Sequence, residues 1–341
     1  MKDRFSFRKV VAVGSVLTTL ALGVFGHRAY VDHVNNLNNS RAKVTFSFSY
    51  HERASDADQA VQKINELNPS VVVLESIGRE EVHRDIESKF GTNNFETHYP
   101  AYAHHPFLGR VLKTAENSGS KIFFIERYSQ KEFDQLNSMD KQVRELNNHA
   151  SSHLVDGNLS RAIELFKNSL VLESKRDRYR EDYLKSAFSS LGSDLIKRYP
   201  DLKGQKMSVL VCFGSAHYAK LHEHASQSGF SGVSIFPKEI VSEPAAEIIS
   251  TLAYSPSKNP NKEELAKALL HRASLSYLAN QGLSNSLASK VASAKLSELD
   301  YSGLEQLVSG GFNPSVKLAS WPKTHSEAVN FLKQKGIASN E

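Results

Sequence analysis

Cysteine is nearly absent from the 341-residue chain, since Cys212 is the only one. A single thiol excludes an intrachain disulfide and any zinc site built from cysteines. It also fits a protein that avoids stray thiols in an oxidising compartment. We therefore look for chemistry in other side chains.

Several widespread motifs are missing as well. The sequence has no phosphate loop, no Gly-x-Gly-x-x-Gly, no Gly-x-Ser-x-Gly elbow and no His-Glu-x-x-His. These absences disfavour nucleotide enzymes, α/β-hydrolases and ordinary zinc proteases. The formal net charge is +5, but no long basic block carries it. Because nucleic-acid proteins concentrate positive charge on one face, we expect no nucleic-acid partner.

The N-terminus carries a membrane signal. An apolar run from Val10 to Gly26 follows a basic prefix that contains Lys2, Arg4, Arg8 and Lys9. This order predicts a signal anchor over residues 1–30, with a cytoplasmic N-terminus and the body on the periplasmic side. The run of about 17 residues is slightly short for a bilayer crossing and slightly long for a cleaved signal. Cleavage, which would release a secreted protein, therefore stays open.

The rest of the chain predicts an α/β fold. The polar stretch in residues 31–42 predicts a linker between the anchor and the body. In residues 43–237, apolar runs alternate with helical patterns, which predicts a mainly parallel sheet flanked by helices. Residues 238–341 predict an all-helical appendage, packed on the sheet or on a partner protein. The predicted strands are Val44–Ser49, Val71–Leu74, Lys121–Ile125, Met207–Phe213 and Gly232–Phe236.

Polar residues follow four of these strands. His51, Glu75, Glu126-Arg127 and His217 come directly after or close behind the apolar runs. Because ligands of open parallel sheets bind beyond the carboxyl ends of the strands, we expect these side chains to share one pocket. Imidazole and carboxylate together suit a divalent transition metal or a general acid and base.

Each residue also has an interpretation without chemistry. A single strand-end histidine is commonly a hydrogen-bonded structural residue, and Glu126-Arg127 is explained equally well by an ion pair. The charged segment Glu173–Tyr183 is typical of a solvated helix face. A helix that lies over the strand ends would instead direct one arginine, Arg176 or Arg178, into the pocket.

The order of these motifs resembles a known superfamily. It groups TraB/PrgY pheromone-shutdown proteins, TIKI proteases, erythromycin esterases and ChaN haem-binding lipoproteins. The matching segments are Phe48-Ser-Tyr-His51, Pro69-Ser-Val-Val-Val-Leu-Glu75, Arg176-Asp-Arg-Tyr-Arg-Glu-Asp182 and Gly214-Ser-Ala-His217. Two positions depart from the superfamily pattern: Phe48 replaces a glycine, and Asp182 replaces an asparagine of the esterase-like members.

The resemblance implies three activities. TIKI-like members are metal-dependent peptidases, erythromycin esterase-like members activate water with a histidine, and ChaN-like members bind haem. We expect a membrane-tethered hydrolase of peptide or ester bonds in which His51, Glu75 and His217 bind Mn, Co or Zn, or activate water. Arg176 or Arg178 would stabilise negative charge on a carbonyl oxygen. The alternative is a non-catalytic protein of the same fold that binds haem or a partner protein.

Overall fold

The computed structural model of the chain describes residues 31–49, 57–214, 218–236, 244–255 and 258–337. The signal anchor predicted over residues 1–30 lies outside these ranges. Within them, no helix combines the length and the apolar character that a bilayer crossing requires.

Five parallel strands form the central sheet in the order β4-β2-β6-β1-β7. The mainly parallel sheet flanked by helices is therefore confirmed. Two short strands, β3 and β5, pair in parallel beside it. The strands are β1 (Ala42–Ser49), β2 (Val71–Leu74), β3 (Gly78–Arg79), β4 (Lys121–Phe124), β5 (Arg127–Tyr128), β6 (Met207–Gly214) and β7 (Gly232–Phe236).

Both faces of the sheet are buried, which explains the continuous apolar runs. Val73 of β2 and Val211 of β6 face one apolar layer, whereas Leu74 and Cys212 face the other. The helices that cover the sheet are α2 (Asp58–Leu67), α3 (Glu80–Lys89), α6 (Pro106–Asn117), the second half of α8 (Leu159–Arg198) and α9 (Tyr218–Gln227). Two short helices, α4 (Phe95–His98) and α5 (Pro100–Ala103), lead into α6.

A second core lies between helices and the turns that join them. It includes residues of α7 (Gln130–Val155), the first half of α8 and the C-terminal helices. The predicted boundary at residue 238 therefore does not separate the cores, because α7 and half of α8 belong to the helical one. The C-terminal helices are α10 (Pro244–Tyr254), α11 (Lys262–Asn280), α12 (Asn285–Ser297), α13 (Tyr301–Val308), α14 (Pro314–Lys317) and α15 (His325–Gln334).

Helix α8 joins the two cores. It has 40 residues and is about 60 Å long at the usual rise per residue. Leu159 to Leu170 lie in the helical core, whereas Leu184 to Leu195 cover the sheet. The segment between them is polar, so the middle of α8 passes over the boundary between the cores. The structure has one continuous helix here.

Residues 31–42 differ from the predicted linker. Residues 31–39 are helical (α1), and Asn39 is fully buried. Its side-chain amide donates to the carbonyl oxygens of Phe188, Ser189 and Ser228, and its oxygen accepts from Gly192 N at 2.7 Å. An asparagine-rich stretch suggests a linker by composition, but here one asparagine satisfies buried backbone groups and attaches α1 to α8.

Candidate functional site at the carboxyl ends of the strands

The ends of β1, β2 and β6 meet at one edge of the sheet. Ser49, the last residue of β1, pairs with Gly214, the last residue of β6. Leu74 pairs with Cys212, so Glu75 follows β2 at the level of the end of β6. The strand order places β6 between β1 and β2, which do not pair with each other. This change of strand order is where open parallel sheets bind ligands.

Two donors among the described residues bind Glu75. Its Oε1 accepts from Arg180 Nη2 at 2.6 Å, and its Oε2 accepts from the backbone N–H of Gly214 at 2.5 Å. A Cβ at position 214 would lie 3.1 Å from Oε2, which is closer than most side-chain contacts. Glycine therefore allows the carboxylate to lie directly against the end of β6. The side chain of Glu75 keeps 14% of its exposure, so it borders solvent.

Arg180 also binds a second carboxylate. Its Nε and Nη2 donate to the two oxygens of Glu126, each at 2.7 Å, and Tyr128 Oη donates to Glu126 at 3.1 Å. Glu126 is fully buried and Arg180 is 5% exposed. Burial by itself lowers the pKa of Arg180, but the charges of Glu126 and Glu75 and the hydrogen bonds to Glu126 raise it well above its usual value. The guanidinium thus stays charged and fixes both carboxylates.

The structure brings Arg180 to Glu75, and not the two arginines named from the sequence. Arg176 donates to Asp140 at 2.6 Å and to Asp177 at 2.9 and 3.0 Å. Arg178 is exposed. The alternative to a solvated helix face, in which this helix lies over the strand ends and directs one arginine inward, describes the structure, but that arginine is Arg180 and not Arg176 or Arg178.

The apolar spacing of α8 contains the signal for Arg180. Buried residues recur at Leu184, Phe188, Leu191 and Leu195, at intervals of three and four. Extending this stripe one turn towards the N-terminus gives position 180, because residues four apart lie on the same face of a helix. The resemblance of the segment Arg176–Asp182 to the superfamily motif predicted Arg176 instead.

Glu126 and Arg127 do not form an ion pair with each other. Glu126 faces Arg180, whereas Arg127 donates to the buried carboxylate of Glu87 on α3. Adjacent residues at the end of β4 therefore join two separate charge clusters. This difference arises because consecutive side chains of an extended segment point to opposite sides.

His51 and His217 lie outside the described residues, so their distance from Glu75 stays a prediction. Among the residues that the structure does describe, no three or more His, Cys, Asp and Glu side chains are arranged to hold a metal ion. Of the three predicted metal ligands, only Glu75 is described.

Phe48 belongs to the apolar layer between the sheet and α8. It is 2% exposed, and its ring stacks on Phe46 at 5.5 Å between centroids. Phe48 thus serves packing on this face of β1.

Two histidines that precede α6, His98 and His105, also have structural roles. His105 Nδ1 accepts from the backbone N–H groups of Phe107 and Leu108, so it caps the start of α6. His98 Nδ1 lies 2.9 Å from the carbonyl oxygen of Asn94. These contacts give both histidines a role in the local structure.

No family model matches this chain, and neither a curated protein nor a solved structure matches it. The likeness to the TraB, TIKI, erythromycin esterase and ChaN superfamily thus rests on the four sequence segments alone.

Proposed function

We propose that the chain is a hydrolase of ester or peptide bonds with its site at the carboxyl ends of β1, β2 and β6. The observation that carries the proposal is the fixed carboxylate of Glu75, bound by Arg180 and by Gly214 N beside solvent. A carboxylate held in one orientation can orient an imidazole, which is what a histidine base requires.

Chain connectivity supports the participation of both histidines. His51 is two residues beyond Ser49, and His217 is three residues beyond Gly214. At the maximum extension of a chain, their Cα atoms lie within about 7 Å and about 11 Å of those paired strand ends. In this proposal one histidine takes a proton from the attacking water and Glu75 orients the imidazole.

Arg180 acts as a positioning residue in this scheme. Arg180 binds the carboxylates of Glu75 and Glu126, and its side chain is only 6% exposed. The guanidinium therefore has little access to a substrate. Positive potential at the same edge comes instead from the start of α9 at Tyr218, four residues after β6 ends. A helix N-terminus stabilises negative charge such as that on a carbonyl oxygen in the transition state.

A divalent metal is compatible with Glu75. Imidazole nitrogen and carboxylate oxygen together are donors that such a metal accepts. His51, Glu75 and His217 would be the ligands, and a bound Mn, Co or Zn would polarise a carbonyl or acidify water. The histidine roles given above do not depend on it.

The hydrolase is tested with the full-length protein in detergent, using model esters and peptides. We expect His51→Ala, His217→Ala and Glu75→Gln each to lower kcat/KM by about 100-fold or more, the usual effect of removing general acid–base catalysis. His104→Ala is the matched control, because His104 is an exposed histidine of a surface loop. Unchanged hydrolysis in both histidine variants would overturn the proposal.

Two further measurements separate the alternatives. Metal content is measured in the same variants, and a metal that stays bound after both histidines are replaced excludes the metal version only. Haem is titrated and followed by absorbance, and a flat spectrum at stoichiometric haem excludes the haem-binding alternative.

We also propose that Val10–Gly26 tethers this body to the outer face of a membrane. The support is the order of a basic prefix and an apolar run. Externally added protease should digest the body in intact spheroplasts and leave a short membrane-bound fragment. Protection of the body until the cells are lysed would contradict this orientation.

A further inference from the structure

A second charged cluster lies beside β4, at an edge of the sheet. Glu87 on α3 has a fully buried carboxylate that binds two arginines. Arg127 Nη2 donates to its Oε1, and Arg198 Nε, from the end of α8, donates to its Oε2 at 3.0 Å. One anion therefore holds two guanidinium groups at fixed positions.

The same groups protect the edge of the sheet. Phe124 N donates to Glu87 at 2.8 Å, and Phe124 O accepts from Arg127 Nε at 2.6 Å. Tyr199 Oη donates to the carbonyl oxygen of Ile122. These bonds satisfy backbone groups that an edge strand would otherwise present to another chain. They also immobilise Arg127, whose guanidinium lies 3.9 Å from the ring centroid of Phe123.

A cleft of about 370 Å³ opens in front of these arginines, between α3 and α8. Arg127 and Arg198 line it, and their side chains keep 12% and 26% of their exposure. Their bonds to protein use Nε and Nη2, so Nη1 of each arginine has no hydrogen-bond partner among the described residues. Unpaired guanidinium N–H groups at a partly enclosed surface are donors for an oxyanion.

The net charge around the cleft is positive. Four cationic side chains line it, and Glu87 behind the arginines brings the anionic groups to three, which leaves one positive charge in excess. The other lining charges are Arg84, Lys197, Glu80 and Asp194. Arg84 is paired with Glu80, whereas Asp194 accepts from Ser190 Oγ at 2.7 Å.

We propose that this cleft binds an oxyanion, the phosphate or carboxylate group of a small molecule, between Arg127 and Arg198. Lys197 adds a third positive charge, and Asp194 opposes the ligand and so limits its affinity. The site is separate from the hydrolytic one, because Arg127 faces away from the Glu126–Arg180 pair. Its occupation needs no catalytic activity.

Isothermal titration calorimetry of the full-length protein tests this site. Inorganic phosphate and acetate are titrated separately at constant ionic strength, and the tighter ligand identifies the preferred group. We expect saturable binding of at least one of them. Arg198→Met should weaken it about tenfold or more, since a charge-assisted hydrogen bond is lost. Asp194→Asn should strengthen it by a few-fold, because a repulsive charge is removed.

Arg161→Met is the matched control. Arg161 is an exposed arginine of the same helix, and it also pairs with a glutamate, Glu164. Its replacement should leave the affinity unchanged. Absence of saturable heat for both anions overturns the proposal, and so does equal affinity in the Arg198 and Arg161 variants. Asp194→Asn provides a test that does not depend on the folding of the arginine variant, since an unchanged or weaker affinity there also contradicts it.

Discussion

The two charge clusters at the end of β4 have opposite compositions. The first places one arginine, Arg180, between two carboxylates, Glu75 and Glu126. The second places one carboxylate, Glu87, between two arginines. The first therefore has a negative charge in excess and orients a carboxylate, whereas the second has a positive charge in excess and offers N–H donors. Glu126 belongs to the first cluster and the adjacent Arg127 belongs to the second. One strand end therefore supplies two kinds of site.

The largest expected loss of stability comes from a substitution in the first cluster. Arg180→Met would leave the fully buried Glu126 without its cation, and breaking a buried pair in this way typically costs about 3–5 kcal/mol. We expect that loss in the free energy of unfolding from urea titration. Arg178→Met, two residues away and exposed, should change it by less than about 0.5 kcal/mol. Similar values for the two variants would show that the pair contributes little.

The charge of Arg127 in the second cluster can be tested by measuring stability against pH, because it affects the pKa of His83. This side chain is fully buried and stacks on Phe124 at 4.4 Å. Burial and the nearby charge of Arg127 lower its pKa from 6.5 to about 3. Below pH 6.5 the imidazole is therefore protonated in the unfolded chain but stays neutral in the folded chain. The free energy of unfolding decreases as the pH is lowered. Between pH 6.5 and 5 this histidine should cost about 2 kcal/mol.

His83→Phe removes the titrating group and keeps a ring of similar shape, so the fall in unfolding free energy over that range should shrink. His104→Ala, an exposed histidine, is the control and should keep the wild-type slope. The prediction fails if His83→Phe and wild type lose stability in parallel.

Arg198→Met should destabilise the second cluster less than Arg180→Met destabilises the first. Glu87 would keep Arg127 and the N–H of Phe124 as donors, and Arg198 is 26% exposed. We expect a loss of about 1.5–2 kcal/mol by the same urea measurement, the low end of the range for a hydrogen bond to a charged group, because Arg198 is partly exposed. A loss as large as that of Arg180→Met would remove the distinction between the clusters.

Gly214→Ala should have the smallest effect on stability. The new Cβ would lie 3.1 Å from Glu75 Oε2, at the end of a flexible side chain. We expect a cost of about 1 kcal/mol for the crowding and, if Glu75 serves hydrolysis, a larger loss of kcat/KM. Gly232→Ala is the control on β7, where the nearest atom lies 3.7 Å away. An equal response of hydrolysis to both changes would contradict the role of the Gly214 contact.

The strands were predictable because each is a short apolar run buried on both faces, and Val71–Leu74 and Gly232–Phe236 match their predicted bounds. Glu75 was predictable from its position after such a run. Arg180 was missed because its segment contains three arginines, and only the packing of α8 on the sheet decides which one faces inward. The Glu87 cluster was also missed, because Glu87, Arg127 and Arg198 are distant in the sequence and no local pattern joins them.

The continuity of α8 links the unfolding of the two cores. The helical core takes α7 and half of α8 from the middle of the sequence and its remaining helices from the C-terminal end, while β6 and β7 lie between these two parts. A fragment that stops before α10 would therefore expose the apolar side of α7 and α8. We expect the α/β and helical parts to unfold in a single cooperative transition, and limited proteolysis between β7 and α10 to destabilise both.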